Sequence, residues 1–157
     1  MKILGIDPGT SLIGWGIIES DRKSTRAIDF GAITTTPKIP NRERIATIYE
    51  SVSKILTKNS PDIVALETLF FFKNAKTVMA VAEVRGVLML AAIHRGIEVR
   101  EFTPLQVKQA ISGYGRADKA QVQTMVKLVL GLRVTPKPDD VADALALAIC
   151  CANTVRY

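Results

Sequence analysis

The segment DIVALETL, residues 62–69, decides how the rest of the chain must be arranged. It is too short for a self-burying helix. It is also too continuously apolar for a strand with one face in water, so it reads as a strand covered on both faces, as in a parallel sheet. Upstream, residues 2–7, 12–20 and 25–35 carry apolar residues at strand spacing between Gly-containing turns, which predicts an antiparallel meander. Ile45, Ile48, Tyr49, Val52, Ile55 and Leu56 then recur at intervals of three and four, the pattern of an amphipathic helix over 42–58. Downstream the pattern predicts a long helix at 74–94 and a strand at 97–102. Thr103 and Pro104 supply the cap and first residue of another helix. The GYGRAD stretch separates that helix from one capped by Asp118, and a last helix begins near Pro138. Strands first, then alternation of helix and strand, predict an α/β fold on a mixed sheet.

A chain of 157 residues, 48% of them hydrophobic, suffices for one domain, 1–157, with a substantial core. The formal charge is +6, although five acidic residues lie in motifs expected to cluster. The basic excess elsewhere is therefore larger than the net figure, as expected of a nucleic-acid binder. Cys150 and Cys151 are adjacent, which suits neither an ordinary disulfide nor a zinc site and fits a reduced, cytoplasmic protein. No signal peptide is visible, and Lys76, Glu83 and Arg85 interrupt the apolar run 75–93, so no membrane association is expected. That run is apolar nearly all round. Such a helix needs cover on both sides, from a neighbouring helix or from a second copy of the chain. Trp15 reads as a core residue, and the lone histidine, His94, has no evident ligand role.

The carboxylates carry the chemistry. In KILGIDPGT, Asp7 ends a hydrophobic strand, and Pro8 with Gly9 turns the chain there. Glu67 sits among Ile63, Val64, Ala65, Leu66 and Leu69, where an unpartnered ionised carboxylate would cost several kcal/mol. In the last helix the spacing of three places Asp140 and Asp143 on one face. Asp139 is explained by the helix dipole alone, whereas the ALALAICCA continuation points the Asp143 face toward the core. A strand-end Asp, a strand Glu and a helical pair, all desolvated, would repel one another without a cation. Hard oxygen donors of this kind suit Mg²⁺ or Mn²⁺, and two such ions can activate water and stabilise a leaving oxygen in phosphodiester hydrolysis. Lys73, Lys76, Lys108, Arg116 and Lys119, near helix starts or in loops, are the candidate phosphate contacts.

Taken together, ILGIDPGT…GWGII, ALETLFFFKNAKT, VRG, PLQVKQAISGYGRADKAQVQTMV and DDVADALALAI resemble the RuvC Holliday junction resolvases over essentially the whole chain. The resemblance implies an RNase H-like fold with a central mixed five-stranded sheet flanked by helices. It also implies a homodimer, and Mg²⁺-dependent symmetric cleavage of four-way DNA junctions in recombination and repair. The catalytic and metal-binding tetrad falls on Asp7, Glu67, Asp140 and Asp143, with two ions per site. Phe70 corresponds to the aromatic near the junction centre, and Lys108 and Lys119 to the active-site basic residues. Branch-migration partners of the RuvA and RuvB type are implied as well. Two alternatives share part of this pattern: an RNase H-like nuclease that processes ribosomal RNA precursors, and a phosphate-binding domain related to actin-like ATPases.

Overall fold

The computed structural model describes residues 1–21, 23–69, 75–113 and 115–155, with side chains of the helix that opens at Ala75 described from Val78 onward. Five strands, β1 Lys2–Asp7, β2 Leu12–Ser20, β3 Thr25–Thr34, β4 Ile63–Glu67 and β5 Glu98–Phe102, form one mixed sheet in the order β3-β2-β1-β4-β5. β1 pairs antiparallel with β2 and parallel with β4, and β4 pairs parallel with β5. The DIVALETL strand is thus central and doubly covered, as its composition requires. The helices are α1 Asn41–Asn59, α2 Ala75–Ile93, α3 Pro104–Ser112, α4 Lys119–Val129 and α5 Asp139–Thr154.

Element ends differ from expectation by a residue or two. β3 ends at Thr34, opposite Leu12, although the Thr35 N–H still donates in register to the Ser11 carbonyl (2.9 Å). β5 starts only at Glu98 because the Ile97 N–H closes the end of α2 on the Ala92 carbonyl (3.1 Å). Thr103 and Asp118 do cap α3 and α4. Each forms a capping box, with Gln106 and Gln121 respectively.

The period of two along the strands divides the core into two clusters. Leu4 and Ile6 of β1 and Val64 and Leu66 of β4 pack toward α1 and α2, with Ile48, Val52, Val84 and Leu88. Ile3, Ile63 and Ala65 pack the other way, toward α3, α4 and α5, with Val107, Val122, Val141 and Leu145. Asp7 and Glu67 continue this second set at the strand ends, so both carboxylates leave the sheet on the α5 side.

α5 lies against β1 and β2 almost backbone to backbone. A methyl group at Gly5 would intrude on the Ala144 carbonyl and come within 2.8 Å of the Ala148 nitrogen. One at Gly14 would strike the Asp140 carbonyl and come within 2.7 Å of the Val141 nitrogen. Gly14 is also the ladder partner of Asp7. Close approach at this one point therefore sets the helix start that carries Asp140 beside the strand end that carries Asp7. Gly14→Ala is expected to cost about 2 kcal/mol, typical of overpacking, and to reduce the activity expected from the sequence by displacing Asp140 from Asp7. Thermal unfolding and activity together check this; a stable, fully active variant would show that α5 is not held by this contact.

Of the apolar residues of α2, Val84, Leu88, Ala91 and Ala92 are buried, while Met79, Leu90 and Ile93 are exposed. α1 and the sheet therefore cover one side of this helix and leave an apolar stripe on the other. Cys150 and Cys151 are free and buried, with burial pushing their thiols up to about 11 and about 12. Trp15 is partly buried and packs against the α1/α2 cluster. Among the described residues no helix is long and apolar enough to cross a membrane.

Candidate active site

Asp7 at the end of β1, Glu67 at the end of β4 and Asp143 on the second turn of α5 line one cavity of about 230 Å³. Lys108 from α3 and Lys119 from α4 complete its polar lining, and Pro104, Val107, Val122, Ala146 and Leu147 supply an apolar floor. Each element brings its group there for a reason legible in the fold. Asp7 and Glu67 share strand parity, and α5 is seated by the glycines. α3 and α4 are oriented by their caps.

Electrostatics sets this site apart. Burial, then the charges of Glu67, Asp143 and Asp140, raise the Asp7 carboxyl from 3.8 to about 7, against the opposing pull of Lys119. Glu67 is raised by burial and by Asp143, and Lys108 offsets part of this. Asp143 is raised by burial too, with Lys119 opposing and Asp140 and Asp139 adding repulsion. Asp140 does not line the cavity; it acts on Asp7 and Asp143 through its charge.

Lys119 is the first residue of α4, a helix end where a cation is unfavourable. Its ammonium is drawn instead to Asp143 (3.3 Å) and Asp139 (3.6 Å). Burial works against its charge, but attraction and hydrogen bonding to Asp143 and then Asp139 outweigh that and raise its pKa. Asp139 also holds Lys137 at 2.6 Å, and the hydrogen bond from that lysine is the main reason its carboxyl titrates low. The sequence suggests only a dipole role for Asp139. Its place beside Lys119 depends on how α4 meets α5, which no local pattern reports.

A hard divalent cation fits the donor set chemically: carboxylate oxygens on one cavity, held above their ordinary range by burial and mutual repulsion. Among the described residues, however, no three acidic, imidazole or thiol side chains form a ready-made cage. The Lys119 ammonium does part of the neutralising. Of the expected phosphate contacts, Lys108 and Lys119 reach the cavity, whereas Arg116 is exposed and does not line it. Phe70 and Lys73 lie outside the described residues, as does the side chain of Lys76.

Comparison with known proteins gives a consistent picture. The family model described as "Crossover junction endodeoxyribonuclease RuvC" matches residues 3–151. The protein of that description from Alkaliphilus oremlandii is 53% identical over 157 residues, covering 100% of this chain and 96% of the relative. Among solved structures, Thermus thermophilus RuvC superposes with a TM-score of 0.89 at 35% identity, covering 96% of this chain and 92% of that one. The T. thermophilus protein in complex with Holliday junction substrate does so with a TM-score of 0.88 at 32% identity and the same coverage.

Proposed function

The chain belongs to the RuvC family of crossover junction endodeoxyribonucleases, and from that premise we propose that Asp7, Glu67, Asp140 and Asp143 are the groups with which it hydrolyses DNA phosphodiester bonds at four-way Holliday junctions. The single observation behind the assignment is electrostatic. Three of these carboxylates line one cavity and the fourth acts on it, and Asp7 is raised to about 7 by burial and by the other three. The match over residues 3–151 leaves the readings as a ribosomal RNA processing nuclease or an ATPase fragment without support.

Two Mg²⁺ ions per site, with Mn²⁺ as a substitute, are the cations this donor set would hold. Bound there, they would supply an activated water and charge stabilisation at the leaving oxygen. The chain's own groups do the rest. The apolar floor limits water, and Lys108 stands opposite Glu67 for a phosphate oxygen. Lys119, whose side chain is 56% exposed, can exchange Asp143 for a DNA phosphate. Phe70, three residues beyond Glu67, would stack on bases unpaired at the crossover, with Lys73, Lys76 and Arg116 on neighbouring phosphates.

The 157 residues act in this reading as a single RNase H-like nuclease domain in a homodimer. Support for pairing comes from α2, where Met79, Leu90 and Ile93 are 68%, 47% and 56% exposed along one stripe. A twofold dimer presents two identical sites to a junction with its own approximate twofold axis, which gives paired symmetric nicks. Cytoplasmic action with RuvA- and RuvB-type branch-migration proteins completes the proposal. On a synthetic four-way junction with Mg²⁺, paired nicks at symmetric positions are expected, with no cleavage of matched duplex or RNA, and with a dimer in sedimentation. Metal-independent cutting, or paired cuts by a monomer, would sink the reading.

A further inference from the structure

In sequence, the arginine of the VRG stretch only interrupts an apolar helix. In the fold, the Arg85 side chain is 15% exposed and flanks the buried face of α2. Its Nε–H donates to the main-chain carbonyl of Glu67 (3.2 Å), and its Nη2 forms an ion pair with Glu101 of β5. A guanidinium so far removed from water is retained only where its donors are met, and here Nε and Nη2 meet partners at two adjacent strand ends. Glu101 is the ladder partner of Leu66, and Glu67 that of Phe102. Arg85 arrives from the α2 side of the sheet, whereas the Glu67 carboxylate leaves on the α5 side into the cavity. The arginine therefore grips the main chain of Glu67 from behind.

We propose that Arg85 is a positioning residue: by tying the Glu67 carbonyl to Glu101 it fixes where the Glu67 carboxylate enters the cavity, and so sets the affinity of the site for its divalent cation. This rests on the reading of Glu67 as a metal-holding group. Arg85 also belongs to the helix that bears the exposed apolar stripe, so whatever pairs with that stripe is joined to the site through one side chain.

The test uses the full chain and its Arg85→Met, Arg85→Lys, Glu101→Gln and Glu67→Gln variants. Mn²⁺ binding is followed by electron paramagnetic resonance, junction binding in EDTA by gel shift, and cleavage as a function of Mg²⁺. In metal-free protein, hydrogen exchange is read at the Thr68 amide, which donates to the Phe102 carbonyl at 2.9 Å beside the grip. Arg85→Met is expected to weaken Mn²⁺ binding by about tenfold or more, as loss of a group supporting a metal ligand typically does, and to raise the Mg²⁺ needed for half-maximal cleavage in proportion. Thr68 exchange should quicken, while junction affinity in EDTA stays within about twofold because phosphate contacts supply it. Arg85→Lys keeps the charge but cannot span both acceptors, so it should fall between. Glu101→Gln should shift the same quantities in the same direction by less. Since Glu101 is 41% exposed, that variant decides the matter if Arg85→Met does not fold. Unchanged Mn²⁺ affinity and Thr68 exchange in Arg85→Met and Glu101→Gln would overturn the proposal. Wild-type Mn²⁺ binding and cleavage by Glu67→Gln would instead overturn the role of Glu67, with Thr68 exchange still reporting on the grip.

Discussion

Asp7→Asn is expected to slow junction cleavage by about a thousandfold or more, since a carboxylate in its proposed role of metal ligand contributes several kcal/mol of transition-state charge stabilisation and each 1.36 kcal/mol is tenfold in rate. Asparagine keeps the shape of the side chain and removes its charge. Asp7 is where the effect should be largest, because its carboxyl feels Glu67, Asp143 and Asp140 together. Glu67→Gln, Asp140→Asn and Asp143→Asn are expected to follow in the same direction. Junction affinity should survive in all four, because basic residues and counterion release supply it. Asp143→Asn should even bind somewhat more tightly, since Lys119 loses its 3.3 Å partner, keeps only Asp139 at 3.6 Å and is more available to phosphate. Cleavage and gel shift on one labelled junction separate the two quantities. A neutralised variant that cuts within tenfold of wild type would remove that residue from the proposed catalytic set.

The second large effect concerns the metal-free protein and its pH dependence. Asp7 holds its proton more tightly in the folded chain, at about 7, than at the ordinary value of 3.8. Between those values the folded state binds more protons than the unfolded one, so stability falls as pH rises through that window and the loss is complete above about 7. Its size is on the order of 4 kcal/mol at most, from 1.36 kcal/mol per pH unit of displacement. Raised Glu67 and Asp143 carboxyls act in the same sense. In EDTA, wild type should therefore lose roughly 5 to 10 °C of Tm between pH 5 and pH 8, at 2–4 °C per kcal/mol for a chain of this size. Asp7→Asn should show a flatter profile and be the more stable protein at pH 8. Millimolar Mg²⁺ should flatten the wild-type profile by binding the folded state and should do less for the mutant. An Asp7→Asn protein less stable than wild type at pH 8 in EDTA would mean that Asp7 contributes favourable contacts exceeding its repulsion.

Those carboxylates were visible in the sequence because their placement obeys short-range rules. Asp7 ends an apolar strand, Glu67 interrupts another, and Asp140 and Asp143 are three apart on a helix. The parity that sends Asp7 and Glu67 to the same face follows from the pleat once β1 and β4 are known to be parallel neighbours. The capped starts of α3 and α4 are local signals as well, and both hold. What escaped was set by docking angles. Lys119 reads as a phosphate contact and, by resemblance, as an active-site basic residue, but its pairing with Asp143 comes from the way α4 meets α5. Arg116, only a few residues away and equally basic, is exposed and does not line the cavity. Arg85 reads as a flaw in an apolar helix, since the carbonyl that explains it belongs to a strand on another layer.

The contacts of α5 with Gly5 and Gly14 carry a further consequence for how such a chain can change. Where two elements meet through side chains, their spacing follows the volumes of whatever residues fill the gap, and repacking the core moves both. Here the gap beneath Asp140 contains peptide groups alone, whose dimensions are the same in every sequence. The apolar clusters on either face can then drift, enlarge or be redesigned for heat resistance while the offset between Asp7 and the start of α5 stays fixed. Mutational tolerance should accordingly be uneven: broad across the Ile, Leu and Val positions, and nearly nil at two residues that have no side chain at all.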